Sequence, residues 1–109
     1  MSIKPEERIK LLKSFCREEP ENPFNYYSLF LETQKVNLKE AISLGDSLLE
    51  KFPDYLPTYY MFGNILEEDF PEKALGIYRK GIKVAQKEGN SKTENELKSA
   101  LQNLEFELD

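Results

Sequence analysis

The chain has 109 residues, 39% of them hydrophobic and 12% aromatic, with a formal charge of −5, which fits one domain (residues 1–109) with a continuous but thin core. An acidic balance with no helical face of unopposed Lys and Arg argues against nucleic acid as a partner, and no apolar run approaches the roughly 18–20 residues of a membrane span. There is no histidine, no tryptophan and one cysteine, so most nucleophiles, general bases and transition-metal ligands are missing; neither catalysis nor a cofactor or metal is expected.

The first stretch, MSIKPEERIK, lacks the apolar core of a leader, and a lone cysteine suits a reducing compartment, so a cytoplasmic location is expected. Pro5 with Glu6 and Glu7 behind it starts a helix that runs to about Glu19, because proline gives up only an orphan N–H there and the acids suit the positive helix end. Ile9, Leu12, Phe15 and Cys16 form its apolar stripe, with Cys16 as a small buried hydrophobe. Pro20 ends it. Asn22 then caps a second helix, about Pro23 to Lys35, with Pro23 at its first position. Tyr26, Leu29, Phe30 and Thr33 face one side of that helix and Phe24, Tyr27 and Leu31 another, the pattern of a helix that is buried on both faces or meets a partner on one.

Asn37 and Glu40 read as a capping box for a third helix that ends near Phe52-Pro53. Next, DYLPTYYMFGNILEEDFPEKALGIYRKG, from Asp54 to Gly81, predicts two antiparallel helices. Tyr59, Phe62, Gly63 and Leu66 stripe the first; Ala74, Ile77, Tyr78, Gly81 and Ile82 stripe the second. Helix-interior glycine costs about 1 kcal/mol relative to alanine, so Gly63 and Gly81 imply backbones in close approach. Glu67, Glu68 and Asp69 match no metal-binding loop and read as a solvated turn; Asp69 or Phe70 caps the helix that Pro71 opens. Gly89-Asn90 ends that helix, Ser91 with Glu94 reads as a further capping box, and Leu97, Ala100, Leu101, Leu104 and Leu108 stripe a last helix, with Phe106 off the stripe.

Laid over itself with a shift of 33, the chain places Tyr26 on Tyr59, Tyr27 on Tyr60, Leu29 on Phe62, Ala41 on Ala74, Ile42 on Leu75, Leu44 on Ile77 and Leu49 on Ile82. Carried backward, the shift puts Ile9 on Ile42, Leu11 on Leu44, Cys16 on Leu49 and Pro20 on Pro53. This alternation of large and small residues over a helical hairpin resembles the tetratricopeptide repeat, whose unit is about 34 residues. The missing residue falls in the turn within each hairpin, so that turn should be tight. An ankyrin unit is also about 33 residues, but its Thr-Pro-Leu-His signature is absent.

The resemblance implies an all-α fold, a short right-handed helical-hairpin solenoid. It has a lone N-terminal B helix (residues 4–20), two A/B hairpins (22–54 and 55–88) and a capping helix (91–108) with a polar outer face. In this family the A helices line a concave groove for an extended peptide or a helix, without intrinsic catalysis. By register, the groove residues are Phe24, Tyr27, Leu31 and Gln34 from the first A helix, and Pro57, Tyr60, Asn64 and Glu67 from the second. A chaperone-binding subclass holds a peptide carboxylate with a lysine and an asparagine on its first A helix; Tyr27 and Leu31 stand there instead, which argues against that clamp. The expected function is a protein-interaction adaptor that takes an apolar peptide or helix, its identity open. The alternative is a structural homo-oligomer, with a homodimer the simplest case, in which the A-helix face pairs with itself.

Overall fold

The computed structural model describes residues 3–109; Met1 and Ser2, the start of the stretch read as lacking a leader, lie outside them. The described residues form six helices and no strand: α1 (Pro5–Glu18), α2 (Pro23–Thr33), α3 (Leu38–Lys51), α4 (Pro57–Leu66), α5 (Pro71–Glu88) and α6 (Ser91–Leu108). None of them is long and apolar enough to cross a membrane. The chain clusters into two compact units, one ending at Phe52 and the other spanning Pro53–Asp109.

The helix ends follow local chemistry. Pro5, Pro23, Pro57 and Pro71 all stand in the first turn of a helix, where the missing N–H costs nothing. Asn22 Oδ1 accepts from the Phe24 N–H at 3.0 Å, and Asn37 Oδ1 accepts from the Glu40 N–H at 3.0 Å. Only this half of the expected Asn37 box is built: the Asn37 N–H donates to the Thr33 carbonyl at 2.8 Å, and the Glu40 carboxylate lies 3.7 Å from Lys13 Nζ. The cap of α6 is Asn90, one residue before the expected Ser91, with its Oδ1 accepting from the Thr93 N–H at 3.0 Å. Glu94 is drawn instead to Lys98 at 2.7 Å and Gln86 at 3.1 Å. Phe70 occupies the cap of α5 without a side-chain bond. Gly89 closes α5 at φ 69°, a left-handed conformation that glycine adopts without steric cost.

The repeat is visible in the backbone as well as in the side chains. Glu19 ends α1 at φ −130°, ψ 69°, and Phe52 ends α3 at φ −130°, ψ 65°. Their N–H groups donate to Phe15 and Leu48, which are equivalent positions. The two turns within the hairpins, residues 34–37 and 67–70, are the same length. Each closes with a 2.8 Å bond, Asn37 N–H to Thr33 and Phe70 N–H to Leu66. The expected tight turn is thus the same turn twice.

In the first unit α2 packs between α1 and α3. Cys16, Leu29, Phe30, Thr33, Ala41, Gly45 and Leu48 are buried there, each large apolar side chain contributing roughly 1.5–3 kcal/mol. Arg8 and Glu32, 3.1 Å apart, tie α1 to α2. The Tyr26 and Phe52 rings lie 5.5 Å apart, with Lys51 Nζ 4.8 Å from the Tyr26 centroid. Phe15 departs from expectation: it is 37% exposed, on the edge of the stripe that buries Cys16.

In the second unit α4, α5 and α6 pack on one another. The two glycines admit different neighbours. A Cβ on Gly63 would fall 2.1 Å from the Tyr78 ring, and one on Gly81 would fall 2.6 Å from Tyr59 Cβ and 3.0 Å from Leu97 Cδ1. Gly63 therefore makes room for an aromatic ring, whereas Gly81 admits the Cβ and Cγ of Tyr59, where that side chain leaves the α4 backbone. Tyr59, Tyr78, Phe62, Leu66 and Leu97 are fully buried in this unit. Arg79 and Glu105, 3.1 Å apart, link α5 to α6.

Candidate functional site

Two A helices, α2 in the first unit and α4 in the second, carry the residues singled out by register. On α2 the core face is saturated: Leu29, Phe30 and Thr33 are buried. The opposite face is aromatic and open. Phe24 is 60% exposed, and Tyr27, Leu31 and Gln34 are half-buried. The Tyr27 ring leans on Phe30 with centroids 6.3 Å apart, so its inner edge is supported by the core while its outer edge stays accessible. A tyrosine held this way loses little further freedom on binding.

On α4 the same division recurs. Thr58, Tyr59, Phe62, Gly63 and Leu66 turn inward, with the Tyr59 hydroxyl donating to the Pro53 carbonyl at 2.6 Å. Burial first, with Asp54 and Glu88 nearby, raises the Tyr59 hydroxyl above the ordinary phenol range. Tyr60, the equivalent of Tyr27, is 38% exposed. Pro57 and Asn64 are exposed and Glu67 is half-buried.

Register did not anticipate what joins Asn64 to Glu67. The Tyr78 side chain rises from α5 across Gly63, and its hydroxyl lies 2.6 Å from Asn64 Oδ1 and within hydrogen-bond reach of the Glu67 carboxylate. Burial, then the Glu67 hydrogen bond and charge, then Tyr60, push this phenol far above its ordinary range, so it remains a proton donor. The sequence reading placed Tyr78 in the core stripe. The available signal was its hydroxyl, since a tyrosine at a fully buried position needs a polar partner that phenylalanine would not. Glu67 thus has its carboxylate oriented from below, while Glu68 and Asp69 beside it are exposed.

Among the described residues no group of three or more His, Cys, Asp or Glu side chains is placed to hold a metal ion. Cys16 is buried, and burial raises its thiol above the ordinary value despite Lys51 and Arg17 nearby, which disfavours the reactive thiolate. The candidate faces offer aromatic and apolar contact plus a few oriented polar groups, the chemistry of recognition.

Comparison with protein-family models and with curated protein sequences finds no match. Solved structures do match. The solution NMR structure of a tetratricopeptide repeat domain protein from Salinibacter ruber is 39% identical over 80% of this chain and 90% of its own, with a TM-score of 0.75. A crystal structure of a tetratricopeptide repeat domain protein from the same organism is 38% identical over 77% of this chain and 97% of its own, with a TM-score of 0.71. A MamA RS-1 ArsTM double mutant, 16% identical over 97% of this chain and 88% of its own with a TM-score of 0.54, shares the fold. With the helical hairpin repeated at a shift of 33 and this identity to solved domains, the chain belongs to the tetratricopeptide repeat family.

Proposed function

We propose that the chain is a protein-interaction module whose outward A-helix faces take an apolar peptide or helix from another protein. Phe24, Tyr27 and Leu31 supply the contact area on α2 and Gln34 a polar end; on α4, Tyr60 supplies the ring and Asn64 and Glu67 the polar groups. The observation that carries this reading is the division of α2. Its core face is complete without Phe24, yet that large aromatic is 60% exposed beside half-open Tyr27 and Leu31. Exposed aromatic surface of this kind costs solubility and gains contact area for binding, where tyrosine and other aromatics dominate the energetics.

Panning a displayed random peptide library against the full chain, followed by amide chemical-shift mapping with the best synthetic peptide, tests the proposal. Shifts centred on Phe24, Tyr27, Leu31, Gln34, Tyr60, Asn64 and Glu67 are expected. Shifts confined to α1, α3, α5 or α6 would overturn it. Shifts on the same A-helix residues that appear on concentrating the chain alone would assign the face to self-pairing.

A further inference from the structure

Phe106 is 83% exposed on α6, a helix that presents Leu97 and Leu104 to the core. Phe106 stands off that buried stripe, so the packing of α6 on its own unit does not account for an exposed phenylalanine there. The chain around it is acidic: Glu105, Glu107 and Asp109 follow Lys98 with no basic residue among them. Glu105 is engaged by Arg79, which leaves Glu107 and Asp109 nearest the exposed ring in sequence.

The outward side of α1 carries the complement. Glu7, Lys10, Leu11, Ser14 and Arg17 line a shallow depression there. Leu11 is 46% exposed, and two exposed cations, Lys10 and Arg17, outnumber the one carboxylate, Glu7, around it. We propose that a second copy of this chain covers these features head to tail, with Phe106 of one copy seated on Leu11 of the next and Glu107 and Asp109 facing Lys10 and Arg17. An apolar knob and hollow alone would not name the occupant; the opposite charges around them do. The two patches differ, so the contact is heterologous and can extend into chains. It is small, and so belongs to the weak, transient class. It uses none of the α2 or α4 residues assigned to peptide binding, so either proposal can fail alone.

Sedimentation of the full chain over a concentration series reaching about 1 mM, enough to populate a millimolar contact, tests this directly. The weight-average mass should rise with concentration and fall as salt screens the charge pairs. Phe106→Ser and Leu11→Glu should each weaken association by about tenfold or more, with helical circular dichroism unchanged. Should Leu11→Glu disturb folding, Arg17→Glu replaces it. Mixed together, the Phe106→Ser and Leu11→Glu (or Arg17→Glu) chains keep one good patch each and should form a heterodimer that grows no further. A parent that stays monomeric throughout, a Phe106→Ser chain that associates like the parent, or a mixture that fails to pair would overturn the assignment.

Discussion

Tyr78 is where the core of the second unit reaches its surface, and its ring and hydroxyl can be tested separately. Tyr78→Phe keeps the ring over Gly63 but removes the hydroxyl that lies between Asn64 and Glu67, with its single proton to donate; it should cost about 1–3 kcal/mol, read from denaturant unfolding. Gly63→Ala keeps the hydroxyl but forces a methyl to 2.1 Å from the ring. It should destabilise by roughly 1–3 kcal/mol through overpacking, and a variant as stable as the parent would show that the ring has room to move. Glu32 carries the pH dependence at this scale. Burial acts to raise its carboxyl, but hydrogen bonds and charge from Arg8 and Lys35 outweigh it and hold the group below its ordinary 4.5. A depressed carboxyl stabilises above its unfolded value and loses that contribution as pH falls through its native value. Glu32→Gln should therefore cost about 0.5–1 kcal/mol near neutral pH. The difference from the parent should vanish in acid, and a constant difference across pH would remove the ion pair as its cause.

At the scale of helices, most of the fold was legible because each boundary has a local chemical cause. Proline in the first turn, asparagine caps and the left-handed Gly89 marked the ends within a residue or two. The errors came where one polar group had two possible partners. Asn90 took the cap of α6 from Ser91, and Glu40 turned to Lys13, because sequence spacing does not rank a local cap against a cross-helix charge. Gly63 shows a similar limit: periodicity shows that a small residue is needed but not that the Tyr78 ring fills the space. In the first hairpin large and small change places, with Phe30 where α4 has Gly63 and Gly45 where α5 has Tyr78; both Phe30 and Gly45 are buried. Gly45→Tyr should cost about 1–3 kcal/mol and Phe30→Gly should recover part of it, whereas strict additivity in the double-mutant cycle would show that the two sites are not coupled. The last helix is testable whole. Deleting Ser91–Asp109 removes Leu97 from above Gly81 and uncovers the apolar side of α5; the shortened chain should aggregate or lose helical signal. An unchanged soluble monomer would contradict the packing role of α6.

Over the whole molecule, the internal repeat made the family readable, since a shift of 33 aligns core residues that local composition alone would scatter. The residues proposed for binding are harder to read because a repeat fixes which helix face is left over, not what occupies it. Phe24, Tyr27 and Tyr60 stood out as aromatics outside the core stripe, whereas the Tyr78 link between Asn64 and Glu67 depends on three-dimensional proximity. On the proposed function, the leftover faces recognise a partner and do not hold the fold together. Tyr27→Ala combined with Tyr60→Ala tests it most directly, with thermal unfolding and calorimetric titration of a library-selected peptide measured on the same samples. The Tm should stay within a few degrees of the parent, at roughly 4–8 °C per kcal/mol for a domain near this size, and peptide affinity should fall by about tenfold or more. A collapse in Tm, or an affinity equal to that of the parent, would contradict it.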